Sequence, residues 1–129
     1  MKLNHECVRA LLLYLEENHQ IDDKPLDVRE IKLPKFSEDE VRYSAEKLIE
    51  ADFLDADAEI MDGVREIYVN SITWAGHQFL DNIRDPKIWK YSKSVFSKFA
   101  SVSIGIIENV SAQVITNLIS NRVGLPPDL

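Results

Sequence analysis

The chain has 129 residues, enough for one domain with its own core, and a composition of 45% hydrophobic and 29% charged residues excludes a disordered segment. Its single cysteine, Cys7, excludes an internal disulfide and fits a reducing, cytoplasmic compartment. The formal net charge is −7, and its distribution along the chain decides which partners each surface tolerates.

The N-terminus does not read as a signal peptide. Lys2, His5, Glu6 and Arg9 interrupt it, the apolar run Ala10–Leu15 is short, and no small-residue cleavage site follows. Asn4 is placed to cap a helix reaching about Asn18, with Leu3, Cys7, Leu11, Tyr14 and Leu15 on its buried face. Cys7 reads as a small core residue, because Glu6 beside it supplies no positive charge to activate a thiol. After the polar stretch Asp22–Pro25, a short strand is expected over Val28–Leu33, ended by Pro34. Ser37-Glu38-Asp39-Glu40 is a capping box, and the helix it opens presents Val41, Ala45, Leu48 and Ile49 before stopping near Asp52.

The period then changes from 3.6 to 2. Leu54, Ala56, Ala58 and Ile60 alternate with Asp55, Asp57 and Glu59, which predicts a half-buried strand. Asp62-Gly63 makes a tight turn, and Val64–Ile72 returns as the second strand of a hairpin. Thr73 caps a helix over Trp74–Arg84, and Asp85-Pro86 restarts the chain into a helix reaching about Phe99. Ser101 or Ser103 opens a last helix to about Asn121, and Gly124-Leu125-Pro126-Pro127 stops it. Glu108 is the only charge in Ser101–Asn121, yet Asn109, Gln113 and Asn117 make that segment too polar to span a membrane alone.

The expected fold is therefore α+β and mostly helical: a winged-helix-like core over residues 1–84 with a β-hairpin wing, then a C-terminal helical extension over residues 85–129 packed on it in a single structural domain. Leu48-Ile49-Glu50-Ala51-Asp52-Phe53-Leu54, the segment Ile72-Thr73-Trp74-Ala75-Gly76-His77-Gln78-Phe79-Leu80-Asp81-Asn82-Ile83-Arg84-Asp85, and Trp89 carry a resemblance across roughly the whole chain. On these residues the chain resembles a family of hypothetical proteins of phages and prophages, a domain of unknown function. The resemblance implies a winged-helix core and a mobile-element origin, and it transfers no activity and no functional residue. Two departures stand out. Asp52 occupies a position where glycine is expected, although aspartate tolerates the left-handed conformation. No clear second helix precedes Ser37, which leaves the helix-turn-helix half of the motif incomplete.

Charge is the sharpest discriminator of function. Between Ser37 and Glu66, the would-be recognition helix and wing, stand eleven acidic residues and three basic ones, Arg42, Lys47 and Arg65. Binding to nucleic acid needs Lys and Arg against phosphates, so this face disfavours DNA and suits either a basic protein partner or plain solvation. One basic surface is expected on the helix from Pro86. There Ile88, Trp89, Tyr91, Val95, Phe96 and Phe99 fall on one arc and Lys87, Lys90, Lys93 and Lys98 on the other. Lys87, Lys90 and Lys98 are the candidate phosphate or partner contacts, and a solvated amphipathic face is the plainer reading.

The last helix carries an apolar face including Ile104, Ile107, Val110, Val114, Ile115, Leu118 and Ile119, opposite an uncharged polar one. Ile107, Val110, Val114 and Leu118 are the candidate interface of a homodimer, and packing within the same domain is the other reading. His5, His19 and His77 have no ligand-like spacing with one another or with Cys7, so no metal and no cofactor is expected. Thr73, Trp74, Gly76 and His77 read as a structural motif in which His77 locks the wing to its helix by a hydrogen bond. With no nucleophile–base pair, phosphate loop or dinucleotide fingerprint, the chain reads as a non-enzymatic interaction module, and a DNA-binding regulator is the alternative.

Overall fold

The computed structural model describes residues 1–99 and 101–123, in the order α1 (His5–Asn18), β1 (Leu26–Asp27), a 3-10 turn (Val28–Glu30), α2 (Glu38–Glu50), β2 (Leu54–Met61), β3 (Val64–Ile72), α3 (Trp74–Ile83), α4 (Pro86–Phe96) and α5 (Ile104–Val123). The fold is α+β and mostly helical, with one three-stranded antiparallel sheet in the order β1-β3-β2. The segment Gly124-Leu125-Pro126-Pro127, expected to stop the last helix, lies outside the described residues. The chain divides into two compact units, Met1–Leu80 and Asp81 onward.

In the first unit one asparagine–glutamate pair joins the starts of two helices. The Asn4 carboxamide oxygen accepts from the amides of Glu6 and Cys7 and so caps α1, while its nitrogen donates to Glu40 at 2.8 Å. The other Glu40 oxygen accepts from the Ser37 amide, and the Ser37 hydroxyl accepts from the Glu40 amide, closing the expected capping box on α2. These bonds hold the Glu40 carboxyl below its ordinary range, the bond from Asn4 contributing most. Behind these caps Cys7, Val8, Leu11, Leu12 and Leu15 of α1, Val41, Ala45 and Leu48 of α2, Ile67 and Val69 of β3, and Phe79 and Leu80 of α3 form the core. Each large apolar side chain buried in this way stabilises the fold by about 1.5–3 kcal/mol before entropy is charged.

The first strand lies earlier than the alternation predicts. Only Leu26 and Asp27 pair with β3, opposite Val69 and Tyr68. The Asp27 carboxylate then accepts from the Arg29 amide at 2.9 Å and from the Arg29 guanidinium, capping a 3-10 turn where the sequence had read strand. The arginine beside it also holds the Asp27 carboxyl below its usual range. The turn swings Val28 and Ile31, three residues apart, into the core. A single 3-10 turn thus stands between β1 and α2, and among the described residues no further helix precedes Ser37 there.

The hairpin forms in the expected register, with positive φ at both Asp62 and Gly63 as a tight two-residue turn requires. Its burial differs from expectation. Leu54, Ile67 and Val69 are buried, but beyond Ala56 every residue of β2 is exposed, and Ile60 is 78% exposed. A bulge between Asp55 and Ala56 leaves Asn70 as the extra residue of β3, and its carbonyl accepts from His19 Nε2 at 2.8 Å. The histidine that ties the sheet to a helix is therefore His19, at the end of α1.

The second unit holds α4 and α5. Asp85 caps α4 by accepting from the amides of Lys87 and Ile88, with Pro86 in the first turn. Ser103 accepts from the Ile106 amide and opens α5. Ile88, Trp89, Ser92 and Phe96 form the buried stripe of α4, and the buried hydroxyls of Ser111 and Ser92 satisfy each other at 3.0 Å. This stripe corrects the expected aromatic arc. Tyr91 and Val95 lie on the flank of α4 in solvent, and Phe99 lies past the helix end, also exposed.

Candidate interaction surfaces

The Thr73 motif is a junction where α3 crosses the chain entering β2. The Thr73 hydroxyl donates to the Asp52 carbonyl and accepts from the Gly76 amide, and the Thr73 amide donates to the Phe53 carbonyl. A Cβ on Gly76 would overlap the Phe53 carbonyl oxygen, so only glycine lets the helix pass this close. Asp52 takes the left-handed conformation at φ 62°, and Phe53 stacks on Phe79 at 5.0 Å. Within this motif Thr73 and Gly76 build the junction and the other two residues do not. Trp74 is 80% exposed. His77 is also exposed, and among the described residues its ring has no hydrogen-bond partner, so the expected lock is absent. Instead His77 and His19 line one cleft with Glu16, Asn70 and Ser71, a grouping the sequence spacing concealed.

The distal hairpin combines unneutralised acid with exposed apolar side chains. Ile60, Met61 and Val64 stand in solvent toward its tip. Asp55, Asp57 and Glu59 run along one side of β2 from base to tip, the side of Met61 and its partner Val64, with Asp62 in the turn and Ile60 on the opposite side. None of these four carboxylates has an ion-pair partner among the described residues, and only Asp57 accepts a side-chain bond, from Asn70. Two of the three cations counted on this face are already engaged. Arg42 pairs with Glu46 and donates to the Arg65 carbonyl, and Lys47 pairs with Glu50, which raises the lysine pKa and keeps it charged. The exposed end of α2 adds Glu38 and Asp39.

On α4, Lys87, Lys90, Tyr91 and Ser94 line a shallow depression, and Val95, Lys98 and Phe99 extend the exposed surface. Lys87, Lys90 and Lys98 have no ion-pair partner among the described residues, whereas Lys93 lies over the Trp89 ring. On α5, Ile107 is fully buried and so withdrawn from any partner, Val110 and Val114 are half-buried, and Leu118 is 46% exposed. Ile119, one residue on, and Ile106 are exposed as well.

Cys7 is fully buried, and burial pushes its thiol above the ordinary range against the opposing bond to Ser44. Among the described residues no three His, Cys, Asp or Glu side chains converge as metal ligands would, and no helix is long and apolar enough to cross a membrane.

These features define a mostly helical α+β protein whose distinctive chemistry lies on open faces. The chain belongs to the family described as "Hypothetical protein (DUF2513)", whose profile matches residues 2–103. The match takes in the hairpin and α4 and stops where α5 begins. The chain is also similar to an uncharacterised protein of Haemophilus influenzae, 26% identical over 125 residues that cover 93% of this chain and 100% of that protein. No solved structure matches it.

Proposed function

We propose that the chain is a non-enzymatic interaction module of phage or prophage origin that works in the cytoplasm and binds a basic protein surface through its β2–β3 hairpin. The order of helix, strand, turn, helix and hairpin, with sheet order β1-β3-β2, supports a winged-helix plan in which the wing has become a docking ridge. One observation carries the reading: Met61 and Val64 stand exposed on the side of the hairpin that carries Asp55, Asp57 and Glu59, and Ile60 stands exposed on the other side. Solvation alone would call for the carboxylates but not for exposed apolar side chains on the same hairpin.

The alternative is a DNA-binding regulator, favoured by the same element order and by Lys87 and Lys90 on α4, which have no ion-pair partner among the described residues. The charge of α2 and the hairpin weighs against it, because phosphate contacts need cations on the docking face. Affinity capture from host lysate with the intact chain and with the variant D55K/D57K/E59K separates the two. The proposal expects a basic protein retained by the intact chain and lost by the variant. Nuclease-sensitive retention of nucleic acid by the intact chain would overturn it.

A further inference from the structure

We propose that the hairpin of one copy docks on the exposed face of α4 in a second copy. The inference rests on the hairpin being a protein-docking ridge and names an occupant for it.

The two faces match in three respects. Met61 and Val64 are exposed on the carboxylate side of the hairpin, and Tyr91, Val95 and Phe99 are exposed on or just past α4, so each face offers an apolar patch for the other to cover. Each patch lies beside charge of the opposite sign. The hairpin has Asp55, Asp57, Glu59 and Asp62 against a single exposed cation, Arg65, and α4 has Lys87, Lys90 and Lys98. Several other cations are already paired: Arg29 with Asp27 and Glu66, Lys32 with Glu38, Arg42 with Glu46, Lys47 with Glu50, and Arg84 with Asp81, while the exposed Lys24 and Lys35 lie apart from any exposed aromatic ring. Unpaired positive charge next to exposed aromatic surface gathers on α4.

The lengths match too. Carboxylates at Asp55, Asp57 and Glu59 recur at every second residue on one side of β2 and span roughly 14 Å. A helix of the length of α4 spans roughly 16 Å, with Lys87 and Lys90 in its first turns and Lys98 just past its end. A one-way contact of this kind builds an open chain or a ring, and a reciprocal one closes a pair.

Sedimentation velocity tests this on the full chain, at loadings from low micromolar to about 1 mM and at low and high salt. The intact chain is expected to associate with rising concentration, less so at high salt. K87E/K90E/K98E and D55K/D57K/E59K, which change exposed residues, are each expected to weaken association about tenfold or more while keeping the native circular dichroism. An equimolar mixture of the two variants is expected to associate again, because each then supplies the face complementary to the other.

An intact chain that stays monomeric at every loading overturns the inference, as does a mixture that remains monomeric. Association abolished by L118E/I119E and untouched by the charge variants overturns it in favour of an α5 dimer. In each of these cases, hairpin-dependent capture of another protein leaves the docking-ridge reading standing, whereas capture unaffected by D55K/D57K/E59K removes that reading itself.

Discussion

At the base of the hairpin Leu54, Ile67 and Val69 are sealed, while at its tip Ile60 and Val64 stand in water. The alternation of β2 is the same throughout, so pattern alone does not separate the two halves. What differs is the neighbour. The base sits by the α3 junction, where Gly76 lets the helix pass against Phe53 and Phe53 stacks on Phe79. The tip has no such cover, and there acidic and apolar side chains alike stand exposed. One half of the hairpin specifies the fold and the other is free to carry function.

Substitutions should divide along the same line. Gly76→Ala is expected to cost most, about 3 kcal/mol or more, because a methyl group meets the Phe53 carbonyl and neither backbone can move cheaply. Leu54→Ala at the base should cost about 2–4 kcal/mol in chemical denaturation, whereas Ile60→Ala at the tip should stay within about 0.5 kcal/mol. Equal losses at the two sites would erase the distinction. Ser37→Ala removes one half of the capping box and should cost about 1 kcal/mol.

The pH dependence tests the capped turns that frame the core of the first unit. The Glu40 and Asp27 carboxyls titrate lower in the folded chain than in the unfolded one, so their contribution is full above the ordinary values of 4.5 and 3.8 and is lost as the pH falls below them. Thermal melts of Glu40→Gln should therefore lose less stability than the intact chain between neutral pH and about pH 3. Smallest of all in stability, Trp74→Ala should leave the melting temperature nearly unchanged, since the ring is exposed. Its effect is expected in partner capture instead, where an exposed tryptophan is a common anchor.

Features that depend on a few adjacent residues were legible in the sequence. Asn4, Ser37 and Asp85 cap helices because an oxygen two or three residues from an amide suffices. Asp62-Gly63 turns the hairpin because both residues accept positive φ. Features that depend on distant neighbours were not. The strand expected at Val28–Leu33 gave way because the Asp27 side chain, competing for the Arg29 amide, closed a turn first. Tyr91 and Val95 share the arc of Ile88, but the stripe that packs is centred nearer Ser92, whose partner Ser111 lies on another helix. The role given to His77 belongs to His19, since only the bulge at Asn70 aims a carbonyl at that ring. The acidic count from Ser37 to Glu66 was readable, yet the pairing of Arg42 with Glu46 and of Lys47 with Glu50, which leaves the hairpin carboxylates unneutralised, was not.

The claim that matters most is that carboxylates on the hairpin turn this scaffold away from nucleic acid and toward protein. Fluorescence anisotropy of a labelled mixed-sequence duplex at low salt, titrated with the intact chain and with D55K/D57K/E59K, tests it directly. The account predicts no binding by the intact chain and salt-sensitive binding gained by the variant. Tight binding by the intact chain that the variant leaves unchanged would contradict it.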